Sequence, residues 1–172
     1  MKIKSLIFAV CLTVVSPAAV LAADNPLYVG LKGGVMMVDL SEYDQATSAG
    51  VVLGYKIFGN ADSSLAIEGE YTTSSSADIN VLGFKGKWDI DTWAAYLAYR
   101  IGGDMYFKGK VGYLNEDINV DIVGANISGS DSGLSVGIGV GWKLGKKNAL
   151  ELEYTVIEQD VNFVSLGVNF SF

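Results

Sequence analysis

Four glutamates stand in two short pairs, Glu68-Gly69-Glu70 and Glu151-Leu152-Glu153. Paired carboxylates are the equipment of general acid–base hydrolysis, as in glycoside cleavage, where they flank the bond to be broken. The rest of a catalytic inventory is missing. The chain holds no histidine, and its one cysteine, Cys11, lies in an N-terminal apolar run. A serine nucleophile therefore lacks its usual base, and no His/Cys cluster with metal-ligand spacing exists. Six cations share a face with the glutamates: Lys32, Lys56, Arg100, Lys108, Lys110 and Lys143. Charges confined together in a narrow space must pair, because each alone is costly. The ten residues read as a charge network rather than an active site, and the sequence predicts no enzyme, no cofactor and no metal.

The elements that position these residues are strands. Period-two alternation, the mark of a strand with two unlike faces, runs through residues 27–38, 47–58, 64–74, 88–101, 104–114, 132–144, 148–157 and 162–172. With 21 glycines, 2 prolines, nine tyrosines and three tryptophans, the composition favours strands joined by turns. The 172 residues make one domain. One face of the strands is free of charge, as at Leu31, Leu53, Ile67, Leu97, Val111, Ile138, Leu152 and Leu166. The other carries the ten charges, spaced by small residues.

A soluble barrel would turn the apolar face inward. Three features favour the reverse. The charged face is crowded with glycine (Gly30, Gly34, Gly50, Gly54, Gly112, Gly137, Gly139, Gly141, Gly167), which suits an eight-strand lumen just wide enough for side chains to fill. Aromatic residues fall at the ends of the apolar face, with Tyr71, Trp93, Tyr113 and Tyr154 toward one rim. Tyr55, Tyr99, Phe107, Trp142, Phe170 and Phe172 fall toward the other. Two such girdles bracketing an aliphatic band belong to a membrane barrel. Links also alternate: 59–63, 102–103 and 145–147 are short, while those after the first, third and fifth strands are long. The expected fold is all-β, an eight-stranded antiparallel up-and-down transmembrane barrel whose closure removes the open edges a bilayer forbids.

The first residues read as an export signal. Lys2 and Lys4 precede the apolar run Leu6 to Val15, and Val20-Leu21-Ala22 supplies small residues for cleavage. The run is too short to span about 30 Å of hydrocarbon as a helix. The expected division is a signal peptide at residues 1–22 and the barrel domain at 23–172. Removal of Lys2 and Lys4 leaves ten basic against nineteen acidic residues, a charge of −9. That balance argues against a nucleic-acid partner.

Tyr28-Val29-Gly30-Leu31-Lys32-Gly33-Gly34 in the first strand and Val164-Ser165-Leu166-Gly167-Val168-Asn169-Phe170-Ser171-Phe172 at the end resemble the small bacterial outer-membrane β-barrel family, which includes opacity-type and OmpX-type porin-like proteins. The resemblance implies a Gram-negative outer membrane, with both termini periplasmic and lipid and lipopolysaccharide as surroundings. It also implies that Val164, Leu166, Val168, Phe170 and Phe172 form the signal read by the outer-membrane assembly machinery. Hydrolases on such barrels use a His–Ser arrangement that this chain lacks. Leu65–Thr72 and Asn148–Thr155 echo one another, which convergent alternation explains as well as duplication does.

Two functions remain open. One is a structural and surface-interaction barrel, salt-bridged shut, that stabilises the envelope and displays loops to an unknown surface ligand. The other is a narrow pore for ions or small solutes. The outer links and adjoining strand ends carry Asp39, Glu42, Asp44, Asp78, Asp89, Asp91, Glu116, Asp117, Asp121, Asp131, Glu158 and Asp160 against Lys85 and Lys87. Such acidity suits simple solubility, or divalent cations shared with lipopolysaccharide. Alternation persisting in Asp78-Ile-Asn-Val81 and Asp117-Ile-Asn-Val120 suggests a projecting ribbon whose edges could pair with a partner.

Overall fold

The structure is a computed structural model that describes residues 26–38, 45–81, 84–122, 125–158 and 161–172. The expected signal peptide lies outside the described residues. The strands are β1 (Leu27–Val38), β2 (Ala46–Gly59), β3 (Ser63–Ser74), β4 (Ala77–Val81), β5 (Phe84–Gly102), β6 (Met105–Ile122), β7 (Ala125–Lys143), β8 (Asn148–Glu158) and β9 (Val161–Ser171). Each pairs antiparallel with its neighbours, and β3 pairs with β5 to bring the sheet round on itself. β4 pairs with β5 in line with β3 beyond a break at residues 75–76, so β3 and β4 form one stave of an eight-stave ring. The seam joins β1 to β9 from Tyr28↔Ser171 to Val38↔Val161.

The faces are inverted relative to a soluble barrel. Ile138 is 69% exposed and Leu31 59%, whereas Glu68 is 0% exposed. No water-soluble protein turns a continuous band of Leu, Ile and Val outward while enclosing its glutamates, but a bilayer rewards that arrangement.

At one end of the ring the connections are tight. Asn60 Oδ1 accepts from the backbone N–H groups of Asp62 and Ser63, both at 2.9 Å. Gly102 has φ +137° and a Cβ there would run into the Met105 carbonyl, so this turn requires glycine.

At the other end the long links expected after the third and fifth strands are mostly strand. β4 with β5, and β6 with β7, run as ribbons well past the ring, leaving only residues 82–83 and 123–124 between them. Alternation carries β5 and β6 outward. The start of β7 has none, reading Ala-Asn-Ile-Ser-Gly-Ser-Asp, and is extended because β6 templates it from Ile122↔Ala125 onward. β7 pairs with β8 only from Val136↔Val156 to Lys143↔Ala149. Residues 125–131 therefore have β6 as their one strand neighbour among the described residues. β2 carries a bulge between Lys56 and Phe58, which turns both Ile57 and Phe58 outward.

Candidate functional site: the lumen and the outer ribbon

Alternation sends every second residue of each stave into the lumen, and the turn-side half of the lumen is ionic. Arg100 on β5 donates from Nε to Glu151 Oε1 at 2.8 Å and from Nη2 to Glu68 Oε1 at 2.5 Å. Lys108 on β6 meets Glu153 at 2.6 Å and both Glu68 and Glu151 at 3.0 Å. Lys110 lies between Glu70 at 2.7 Å and Glu153 at 2.8 Å, and Lys32 on β1 pairs with Glu70. Four cations and four carboxylates, all buried, thus balance to zero with every carboxylate holding at least one cation. That neutrality is what makes such burial tolerable.

Two of the ten residues stand apart from this cluster. Lys56 is half-buried at the mouth, with its ammonium 5.9 Å from the centre of the Tyr28 ring. Lys143 is exposed, and its Nζ donates to the Ala61 carbonyl at 2.9 Å instead of to a carboxylate. Its place in the expected network is corrected on that ground: it projects past the last interior glutamate, at the rim.

Three tyrosines belong to the network and escaped the sequence reading. Tyr28 donates to Glu68 Oε1 at 2.5 Å and accepts from Arg100 Nη1 at 3.0 Å. Tyr106 donates to Glu151 Oε1 at 2.7 Å, and Tyr96 shares a 2.9 Å hydrogen bond with Ser135 below the Lys110 ammonium. The Tyr28 and Tyr106 hydroxyls occupy carboxylate lone pairs that the cations leave over. Gly54 faces the Tyr28 ring and Gly141 the Tyr106 ring so closely that a Cβ at either would overlap it. Position parity was the available signal, since each tyrosine sits one residue off the apolar face.

Above the ionic layer the interior changes character. Met36, Trp88, Ile90, Leu114, Ile157 and Phe163 form a buried apolar cluster toward the ribbon end. The expectation of an interior lined only by charges and small residues is corrected here. Lys32 marks the junction, its ammonium 5.2 Å from the centre of the Phe163 ring. Glu116, expected among exposed outer carboxylates, is 1% exposed in this layer, because its parity on β6 is that of Lys108 and Lys110.

On the outer surface, Tyr71, Trp93, Tyr113 and Tyr154 are exposed toward the ribbon end, with Tyr71 directly opposite Trp93 across β3 and β5. Tyr99, Phe107, Trp142, Phe170 and Phe172 are exposed toward the turn end, Tyr55 is half-buried there, and Phe58 joins them through the bulge. Val164, Leu166, Val168 and Phe170 lie on the outward face of β9, with Phe172 just beyond it. Asp78, Asp89, Asp91, Asp117, Asp121 and Asp131 sit on the ribbons, where Asn119 donates to Asp89 at 3.0 Å. No group of three or more His, Cys, Asp or Glu side chains is placed to hold a metal ion among the described residues. Asp39, Glu42, Asp44 and Asp160, and the side chains of Glu158 and Lys85, lie outside them.

A closed eight-stave ring with an aliphatic exterior and buried glutamates, lysines and an arginine inside specifies an integral barrel of the outer-membrane type. The family model for the outer membrane protein beta-barrel domain matches residues 7–172. The chain belongs to that family. Membership gives it an integral outer-membrane location. Among solved structures, Neisserial surface protein A matches with a TM-score of 0.67 at 17% identity, over 86% of this chain and 97% of that one. Ail, the attachment invasion locus protein of Yersinia pestis in complex with the heparin analogue sucrose octasulfate, matches with a TM-score of 0.56 at 16% identity, over 85% and 96%. The outer membrane enzyme PagL matches with 0.52 at 12% identity, over 84% and 99%. No curated protein matches the sequence. At these identities the likeness is one of fold, and that fold is shared by surface proteins and an enzyme.

Proposed function

We propose that this protein is a structural and surface-interaction barrel: the sealed ring anchors it, and the outer ribbon makes contact beyond the membrane. The edge at residues 125–131, which has β6 as its one strand neighbour among the described residues, carries this reading. An edge of unpaired backbone N–H and C=O groups is a template for an incoming strand. Natural sheets usually guard such edges with lysine or proline, and this one has neither, reading Ala-Asn-Ile-Ser-Gly-Ser-Asp with Ile127 exposed. The short-turn end, both termini included, faces the periplasm in this reading, and residues 1–22 are the export signal. The exposed aromatics bracket the bilayer, the ribbon carboxylates stand at the level of lipopolysaccharide, and the outward face of β9 engages the assembly machinery. That a barrel of the same fold is Ail, the attachment invasion locus protein, accords with a contact role. The chain has no histidine to activate a serine, which favours a non-enzymatic role.

The test compares cells displaying the wild type with cells displaying Ile127→Lys/Gly129→Lys, two changes that guard the edge with charge at positions exposed or open to added atoms and outside the β7–β8 pairing. At equal surface level, the variant is expected to lose adhesion to cultured epithelial cells and to abiotic surfaces. Planar bilayers holding the purified wild type are expected to stay silent, because the apolar layer caps the ionic one. Unchanged adhesion together with steady ion-selective conductance would overturn the proposal in favour of a pore.

A further inference from the structure

The charges of this molecule are sorted by end. The ribbons carry six described aspartates against Lys87, whereas the turn end carries Lys56, Lys143, Lys146 and Lys147 against Asp62 and Asp104. Those four lysines line a cavity of about 730 Å³ that opens where the short turns converge. Its floor is Arg100, 9% exposed, with Tyr28 and Tyr106 beside it. Two acids contribute to the wall, Asp62 and Glu151, and Glu151 is already held by Arg100 and Lys108.

Lys143 ends β7 and Lys146 and Lys147 lie in the turn to β8, and none of the three makes an ion pair among the described residues. Lys143 reaches across the mouth to the Ala61 carbonyl, which neutralises none of its charge. A concave wall in which one sign predominates focuses potential into the space it encloses. Neutral polar groups from Asn148, Asn169 and Ser64 complete the lining. The volume is that of a small-molecule site, for which about 300–1,000 Å³ is usual, and lysine binds phosphate as a compact point charge.

We propose that the turn-end mouth is a binding site for a multiply charged, phosphate-bearing solute, entering from the compartment the short turns face. The solute's charge is met by Lys143, Lys146 and Lys147, and its neutral oxygens by the amides and hydroxyls of the wall. Phosphates of membrane lipid headgroups present the same chemistry, so the experiment separates the two sources.

The full barrel, refolded in a phosphate-free non-ionic detergent, is titrated with tripolyphosphate while backbone amide shifts are followed by NMR. Saturable shifts are expected at Ala61, Asp62, Lys143, Lys146 and Lys147 and not on the ribbons. The triple variant Lys143→Gln/Lys146→Gln/Lys147→Gln, shown to be folded by its heat-modifiable gel mobility, is expected to bind at least tenfold more weakly. Absence of saturation up to about 10 mM, or undiminished affinity in the folded triple variant, would overturn the proposal. A second arm repeats the titration in nanodiscs of phosphatidylcholine with or without phosphatidylglycerol. Unchanged affinity with phosphatidylglycerol identifies a soluble ligand, and competition by it identifies lipid headgroups as the source of the phosphate.

Discussion

Replacing Lys108 with methionine tests the ionic layer at its centre. The ammonium touches Glu68, Glu151 and Glu153 within 3.0 Å, and the side chain is 2% exposed. Methionine keeps the length of the side chain and removes only the charge, leaving three cations against four carboxylates. Removing one partner of a buried pair costs about 3–5 kcal/mol. The lower end applies here because each carboxylate retains a cation. Arg100 still holds Glu68 and Glu151, and Lys110 still holds Glu70 and Glu153. A loss of about 3 kcal/mol is therefore expected. Adding Glu151→Gln restores neutrality at three against three, and a coupling of about 0.5–3 kcal/mol should return part of the loss. Reversible urea unfolding in phospholipid vesicles, followed by tryptophan fluorescence, measures both. A single variant within about 0.5 kcal/mol of wild type, or a double variant no more stable than the single, would refute the balance described for the lumen.

Leu97→Arg places a cation on the lipid-facing band, where about 2–4 kcal/mol is lost near the midplane; insertion into vesicles should fail, while Leu97→Ala inserts normally. Gly141→Val drives a side chain into the Tyr106 ring and should cost about 1–3 kcal/mol of strain. That cost should be relieved by Tyr106→Ala in the same chain, and Gly109→Ala, with open space around its Cβ, should unfold like wild type in the same urea assay. Deleting Phe172 removes an outward aromatic and the end of the expected assembly signal together; surface labelling should fall, with the chain degraded before insertion, and wild-type surface levels would count against that role for the residue.

Much of this architecture is written in position parity. A strand has two faces, and the lipid requires one of them to be apolar along its whole height, so Leu31, Leu97 and Leu166 announce the outside while Glu68, Lys108 and Glu151 announce the inside. Parity is a weaker guide where residue type contradicts expectation. Tyr28, Tyr96 and Tyr106 were passed over because aromatics in such a barrel are sought at the bilayer rims, yet a hydroxyl on a rigid ring also suits a crowded ionic interior. Trp88, Ile90 and Leu114 carry inward parity but no charge, so the apolar cap they build with Met36 and Phe163 shows only when four staves are brought together. The bulge that turns Phe58 outward breaks parity itself. The ribbon half of β7 is legible only through its neighbour, since Ser and Gly have no strand preference of their own and follow the hydrogen-bonding template of β6.

The network also bears on how the barrel comes together. Arg100 is grasped at once from β3 and from β8, and Lys108 from the same two strands. While the sheet is still open at the β1–β9 seam, β3 lies toward one margin and β8 toward the other, too far apart to share a guanidinium. A partly rolled sheet therefore buries charges before their second partners arrive, and the last strand pair to zip relieves all of them together. Opening the seam therefore separates the glutamates of β3 and β8 that share Arg100 and Lys108, and costs those buried pairs as well as one ladder of hydrogen bonds.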